Sequence, residues 1–182
     1  TKACTFVNDT TSRGGRILFV GTKRQAQNII REEAKRSAMY YVVNRWLGGT
    51  LTNFQTIRAS VKRLREIQQL RDSGALEQRS KKEAAELTKE LQRLEYNLEG
   101  IDTMEELPGA VFVVDPHREA IAVHEANRLD IPVIAICDTN CDPDLIAYPI
   151  PGNDDAMRAI RLLTSTIADA CVAGREQWSG QA

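Results

Sequence analysis

An α/β fold is what this sequence predicts: a parallel sheet with helices on both faces and an antiparallel helical hairpin inserted into it. Three observations carry that expectation. Short apolar runs recur at 16–20, 40–43, 110–114 and 132–136, each strand-sized and apolar nearly throughout, as strands buried on both faces are. Helical spacing of apolar groups fills stretches of about a dozen residues after the first and third runs, the alternation of βαβ units. Between the second and third runs, two longer segments carry the narrow three-and-four spacing of a coiled-coil seam.

The elements follow in order. Residues 2–12 read as the tail of a helix that Gly14-Gly15 ends, and 16–20 as a strand stopped by Gly21. A helix over 23–37 places Ala26, Ile29, Ile30 and Ala34 on one side, and 40–43 is the second strand. In the hairpin, Phe54, Ile57, Val61, Leu64, Ile67 and Leu70 form one seam, and Ala84, Leu87, Leu91, Leu94 and Leu98 the other. Asp72-Ser-Gly74 breaks the first helix, Ser80 and Glu83 form a capping box for the second, and Gly100 stands where a C-terminal cap belongs. At 1.5 Å per residue each helix is ~25–30 Å long. Seams so narrow, flanked by so many charges, cannot bury much against a sheet, so the pair is expected to project from it.

The strands at 110–114 and 132–136 are joined by a helix over 117–129, expected to bury Ile121, Ala122, Ala126 and Leu129. A closing helix over 153–173 is expected to be capped by Asn153, with Asp154 and Asp155 at its positive end and Met157, Ile160, Leu163 and Ile167 packing inward. The whole is the doubly wound, Rossmann/flavodoxin-like arrangement. Residues 1–50 and 101–182 make the α/β domain, and 51–100 the inserted hairpin.

With 182 residues the chain is one domain, or one with an appendage, at ~100–200 residues per domain. Its 42% hydrophobic and 27% charged residues exclude a disordered tail, a collagen-like rod and a disulfide-dense mini-protein. No apolar run approaches the ~18–20 residues of a membrane helix. Thr1-Lys2-Ala3-Cys4 offers neither an initiator Met nor a signal-peptide core, the expected start of a fragment. Cys4, Cys137, Cys141 and Cys171 are too scattered for a disulfide framework, and read as reduced thiols in a cytoplasm-like compartment.

The net charge of −1 hides an asymmetry. Residues 1–71 hold 14 Lys/Arg against four carboxylates, a net of +10, and residues 72–182 hold 10 against 21, a net of −11. That pattern predicts one face for a polyanion. The motif Asn44-Arg-Trp-Leu-Gly-Gly-Thr-Leu-Thr-Asn-Phe54 lies between a strand end and the first hairpin helix. Arg45 and Trp46 are the residue types that recognise phosphates and unstacked bases, and Gly48-Gly49 permits a close backbone approach. The competing reading is a buried Trp46 anchoring the hairpin. Thr52 or Asn53 is expected to cap the helix, on which Arg58, Lys62, Arg63 and Arg65 follow mostly off the seam.

Other constellations are weaker. Gly21-Thr22-Lys23-Arg24 lacks the spacing of a phosphate loop, leaving Lys23 or Arg24 a simple phosphate contact at a helix start. Asp115, Asp138 and Asp142 at the carboxyl ends of strands supply the alternative reading, a metal-dependent phosphohydrolase. Proline-stiffened loops with Pro116, Pro143, Pro149 and Pro151 account for that edge without a substrate. Cys137, Cys141 and His117 are a scattered, weak zinc set.

Several runs occur in a recognisable order: Val20-Gly-Thr-Lys23, the Arg45 to Phe54 motif, Val114-Asp-Pro116, Ala126-Asn-Arg-Leu129, Ile131-Pro132, Asp138-Thr-Asn140, Asp142-Pro143 and Ile150-Pro-Gly-Asn-Asp-Asp-Ala156. From about 13 to 172 the chain resembles the bacterial and organellar family of small-subunit ribosomal protein number two. The resemblance implies the same fold and no catalysis. It implies binding to small-subunit ribosomal RNA near the junction of head and body, and contact with neighbouring ribosomal proteins, including the large OB-fold protein numbered one. It implies a place on a cytoplasmic or organellar ribosome, with no cofactor and no membrane. Family members carry a further basic N-terminal segment, and Ala147 stands where an acidic residue is common. The RNA contacts expected are Lys23, Arg24, Asn44, Arg45, Trp46, Asn53, Arg58, Lys62, Arg63 and Arg65, with Trp46 and Asn53 positioning the loop.

Overall fold

The four apolar runs become strands and a fifth joins them, in a computed structural model that describes residues 1–180. Strands β1 (Ile17–Val20), β2 (Tyr40–Val42), β3 (Ala110–Val114), β4 (Val133–Cys137) and β5 (Tyr148–Pro151) form one sheet in the order β2-β1-β3-β4-β5. Every pairing is parallel. This is the flavodoxin-like winding, whose ligand edge lies beyond the carboxyl ends of the strands.

Alternate residues of each central strand feed two apolar layers. Ile17, Phe19, Phe112, Ile134 and Ile136 pack with Val7, Ile29, Ile30, Ile160 and Ile167, contributed by α1 (Lys2–Ser12), α2 (Arg24–Ser37) and α6 (Met157–Ser179). Leu18, Val20, Val111, Val113 and Val133 pack on the other face with Trp46, Leu51, Ala122 and Val123, the last two from α5 (Ala120–Arg128). Burial on both faces explains why β1 and β3 read as unbroken apolar runs rather than as alternation.

The insert is α3 (Phe54–Asp72) and α4 (Lys81–Leu98), packed on each other between β2 and β3. Ile57, Val61, Leu64, Ile67, Leu91 and Leu98 are buried along the seam, with Leu87 and Leu94 partly so. The same apolar layer continues from the seam into the face of the sheet, so the hairpin is rooted in the core. Ser80 caps α4 by accepting the Glu83 N–H and donating its hydroxyl to the Glu83 carboxylate. Among the described residues no helix is long and apolar enough to cross a membrane.

Three expectations are corrected. Residues 148–151 are the edge strand β5 rather than a stiffened loop; edge positions tolerate Pro149 and Pro151, which have no N–H to give a ladder. In α5 the buried side is Ala122, Val123, Glu125 and Ala126, while Ile121 is 61% exposed and Leu129 is also exposed. The helix runs only from Ala120 to Arg128, so Leu129 lies past its end, and the inward face is the one that carries Glu125 to the β2–α3 loop. In α6 the first residue is Met157, itself exposed. Asn153 does not cap it; its Oδ1 accepts the N–H groups of Asp155 and Ala156 in a turn ahead of the helix.

Gly100 closes the hairpin with φ +85°, and a Cβ there would lie 2.2 Å from the Tyr41 carbonyl oxygen. Gly74, at the far tip, has φ +75° but open space around it. Gly100→Ala is therefore expected to cost about 2–4 kcal/mol, left-handed strain plus a backbone clash, and Gly74→Ala only the ~1–2 kcal/mol of strain. Urea unfolding of both variants checks this; equal losses would place no close contact at Gly100.

Candidate nucleic-acid interface

The loop between β2 and α3 is organised by one carboxylate. Glu125, on the buried side of α5, accepts the Trp46 indole N–H at 3.2 Å and the Gly49 N–H at 2.7 Å on Oε1. Its Oε2 accepts the N–H groups of Leu51 at 3.0 Å and Thr52 at 3.3 Å. Burial raises the pKa of this carboxyl, but the bonds from Gly49, Leu51, Trp46 and Thr52 outweigh it and hold it below the usual carboxylate range. Gly49 takes φ +89° to turn its N–H inward. The loop's inward N–H donors thus face a glutamate of the same chain.

Trp46 is buried in the apolar layer and shows no open ring face to a base; it positions the loop. Arg45, its neighbour, is exposed. Asn44 faces inward, donating to the Tyr96 carbonyl at 2.8 Å and to Glu99 at 2.9 Å. Asn53 occupies the N-cap position of α3, but its Oδ1 accepts the Thr56 hydroxyl and caps no backbone N–H. Glu125 was missed from sequence, although a carboxylate between Ala122 and Ala126 on an apolar stripe is itself the signal of an internal bond.

The basic side chains divide. Arg58, Lys62 and Arg65 recur at helical spacing along α3, are exposed, and line one groove of about 600 Å³ with Gln55, Gln69 and Met104. Glu66, Asp102 and Glu105 share the lining, and Arg65 donates to the Asp102 carbonyl at 3.0 Å. None of the three cations makes a salt bridge among the described residues. Arg63 points elsewhere, to Glu90 at 2.9 Å and Glu66 at 3.8 Å. Arg24 is exposed at the start of α2. The structure does not gather all the predicted cations onto one surface: Arg63, like Arg31, Arg36 and Arg71 of the same basic stretch, pairs with acidic side chains of the second half of the chain.

Lys23 is enclosed. Its Nζ lies 2.6 Å from Asp155, 2.8 Å from Asp115 and 3.2 Å from Asp154. Burial alone would lower its pKa, yet the bonds to Asp115, Asp155 and Asp154 raise it. Burial likewise raises Asp115, but Lys23 and the Arg118 N–H bring it below its ordinary value. Asp154 ends above its ordinary value, through burial and the neighbouring Asp115 and Asp155, because one ammonium cannot offset three carboxylates equally. The adjacent Thr22 N–H and hydroxyl both go to Glu119, at 2.8 and 2.5 Å. The turn opening α2 is thus also served from within, and Lys23 is not free for a phosphate.

At the sheet's carboxyl edge, Asp115, Asp138 and Asp142 do not converge as a phosphohydrolase would need. Among the described residues, the acidic group that forms is Asp138, Asp154 and Asp155. Asp142 instead accepts the Asp144 N–H in the turn at Pro143–Leu145. Cys137 and Cys141 lie with sulfurs 2.8 Å apart, but His117 does not complete a zinc set with them. Burial, then the neighbouring Cys141, pushes the Cys137 thiol up to about 12.

Residues 1–174 match the family model described as ribosomal protein S2. The chain belongs to the ribosomal protein S2 family. It is 56% identical over 176 residues to the small ribosomal subunit protein uS2 of Sorangium cellulosum, covering 97% of this chain and 63% of that one. It is 59% identical over 172 residues to the uS2 protein of Syntrophobacter fumaroxidans, covering 94% and 63% respectively. The chain therefore spans under two thirds of the length of these S2 relatives. The match takes in the β2–α3 loop, the hairpin and the edge that holds Lys23.

A carboxylate held below its ordinary pKa stabilises the fold above the unfolded-state value, ~4.3, and that contribution is lost as pH falls through the folded value. Glu125→Gln leaves two loop donors facing an amide N–H₂, whichever way the amide turns, an expected cost of about 2–4 kcal/mol at neutral pH. The variant is also expected to lose less stability than wild type between pH 6 and 3. Chemical denaturation across that range reads both; parallel pH profiles would mean that Glu125 contributes no acid sensitivity.

Proposed function

We propose that this chain is a non-catalytic, RNA-binding constituent of the small ribosomal subunit, held mainly by cationic contacts to ribosomal RNA phosphates. The observation that carries the reading is the exposed stripe of Arg58, Lys62 and Arg65 on α3, charged, grouped along one groove and free of salt bridges among the described residues. Arg45 and Arg24 add exposed cations on the body. Membership of the S2 family supports the assignment, since the relatives bear the name small ribosomal subunit protein.

The groove's own carboxylates, Glu66, Asp102 and Glu105, make contact selective, favouring phosphates only where the arginines and Lys62 stand. A stripe of this kind reads the shape of a folded RNA more than its bases. Residues 51–100 then act as the reaching arm, and residues 1–50 with 101–182 as the body that fixes it. Further partners in this reading are neighbouring small-subunit proteins, among them the large OB-fold protein numbered one, and the setting is the ribosome.

The full-length protein carrying Arg58→Ala, Lys62→Ala and Arg65→Ala together is expected to bind small-subunit ribosomal RNA more weakly. Its log K against log salt should flatten by about 2–3, at ~0.7–0.9 per lost phosphate contact. Arg63→Ala with Arg71→Ala, which removes arginines already in ion pairs, is expected to leave the slope unchanged. Fluorescence anisotropy over a salt series separates the two, and an unaltered slope in the triple variant defeats the reading.

A further inference from the structure

We propose that Cys137 and Cys141 form a redox modification site, a thiol pair that hydroperoxides oxidise reversibly to a disulfide. Cys137 ends β4, and Cys141 follows it across the turn Asp138-Thr-Asn-Cys141. That turn folds the chain back, its Cys141 N–H reaching the Asp138 carbonyl at 3.3 Å, and brings the two sulfurs to 2.8 Å. A disulfide bond is about 2.03–2.05 Å long, so closing it needs a movement of under about 1 Å.

Bonds outside the pair hold both thiols in place. The Cys137 carbonyl accepts the Gly152 N–H at 3.1 Å, which ties the end of β4 to the residue after β5. Asp138 accepts the Thr139 N–H at 2.7 Å and Asp142 the Asp144 N–H at 3.0 Å, so the turn is fixed on either side of Cys141. The other two cysteines are placed differently. Cys4 accepts the Thr1 hydroxyl at 3.0 Å, and Cys171 is buried in the apolar layer on the opposite face of the sheet. The pair also has access to solvent. Cys137 and Cys141 are each partly exposed, beside the exposed Thr139, Asn140 and Asp142, which admits a solute the size of hydrogen peroxide.

The chemistry balances with the peroxide alone. The Cys141 thiolate attacks one peroxide oxygen and the O–O bond breaks. The departing hydroxide recovers the proton that Cys141 gave up, leaving a sulfenic acid and water. The Cys137 sulfur then attacks the sulfenic sulfur, the S–O bond breaks, and the hydroxide leaves as a second water with the Cys137 proton. Two thiols and one hydrogen peroxide thus give one disulfide and two waters. Burial and Cys141 hold the proton on Cys137, which leaves the first attack to Cys141. A small dithiol restores both thiols by exchange. The bond fastens the turn to the end of β4. Asn140 and Asp142 of that turn line a cleft of about 330 Å³ with His117, His124 and Leu145, so oxidation stiffens one wall of the cleft, a role apart from the cationic stripe on α3.

The intact protein, treated with hydrogen peroxide, blocked with N-ethylmaleimide in urea and digested with trypsin, tests the site by mass spectrometry. Both sulfurs fall in one tryptic peptide, residues 129–158. The expected product is that peptide two hydrogens lighter and unlabelled, which dithiothreitol converts to a form that takes two labels. It should appear at least ~10-fold faster than Cys4 or Cys171 loses its thiol, and amide exchange at 138–142 should slow with it. C137S should stop the reaction at a Cys141 sulfenic acid that dimedone traps, and C141S should leave Cys137 open to the maleimide. The wild-type readout decides if either variant proves unstable by circular dichroism. A peptide that keeps both thiols while Cys4 is oxidised overturns the proposal. So do disulfides that join two chains, or Cys4 to Cys171, in its place.

Discussion

Buried backbone N–H groups must find acceptors, and the shape of this molecule follows from where they find them. The loop from Arg45 to Thr52 turns through a positive-φ glycine and presents several N–H groups to one point. In many α/β proteins such a concavity meets a bound anion. Here the anion is covalently part of the fold, as Glu125. The same substitution recurs at the turn after β1, where Glu119 takes both Thr22 donors. Two strand-to-helix turns that superficially invite phosphate are thus closed by the protein's own side chains.

That closure leaves the unpaired cations on the outside of the molecule. With Trp46 drawn into the apolar layer and Lys23 among aspartates, cations able to meet a polyanion are those on surfaces that the acidic half of the chain does not reach. The +10 of the first 71 residues and the −11 of the rest meet across the hairpin and along its base. Arg63 and Arg71 pair with Glu90 and Glu95 of the facing helix, and Arg31 with Glu99. Exposed pairs of this kind add little stability, about 0–1 kcal/mol each. Their larger effect is to sort the arginines, leaving Arg58, Lys62 and Arg65 facing outward.

Periodicity made the hairpin and most of the sheet legible, since Ile57, Val61, Leu64 and Ile67, or the residues of β1 and β3, repeat one burial state at one spacing. Elements whose cues conflict were not legible. In β5, two prolines in four residues obscure a strand that exists only because it lies at an edge. In α5, the inward face includes the charged Glu125 and leaves the apolar Ile121 exposed, which apolar spacing alone cannot signal. The role of Glu125 depends on donors 73–79 positions away, and no local pattern carries a bond of that range. Residue type pointed to Arg58, Lys62, Arg63 and Arg65 as one set, but only the packing of α4 against α3 separates Arg63 from the others.

The direction of the hairpin has a different origin from its existence. Its apolar seam pairs α3 with α4 but sets their angle to the sheet only loosely, because hydrophobic contact is non-directional. Hydrogen bonds are directional, and they stand at both roots. At the entry, Glu125 fixes the residues leading into α3. At the exit, Glu99 at the end of α4 receives Arg31, Tyr41 and Asn44 from α2, β2 and the loop beyond, and Gly100 lies too close to Tyr41 to admit a side chain. Burial, the Glu99 charge and its hydrogen bond push the Tyr41 hydroxyl up to about 12, so that it stays a donor at any physiological pH. Two carboxylates, one on α5 and one at the end of α4, therefore aim the arm, and the cationic stripe on α3 inherits its orientation from acidic residues at the hairpin's two roots.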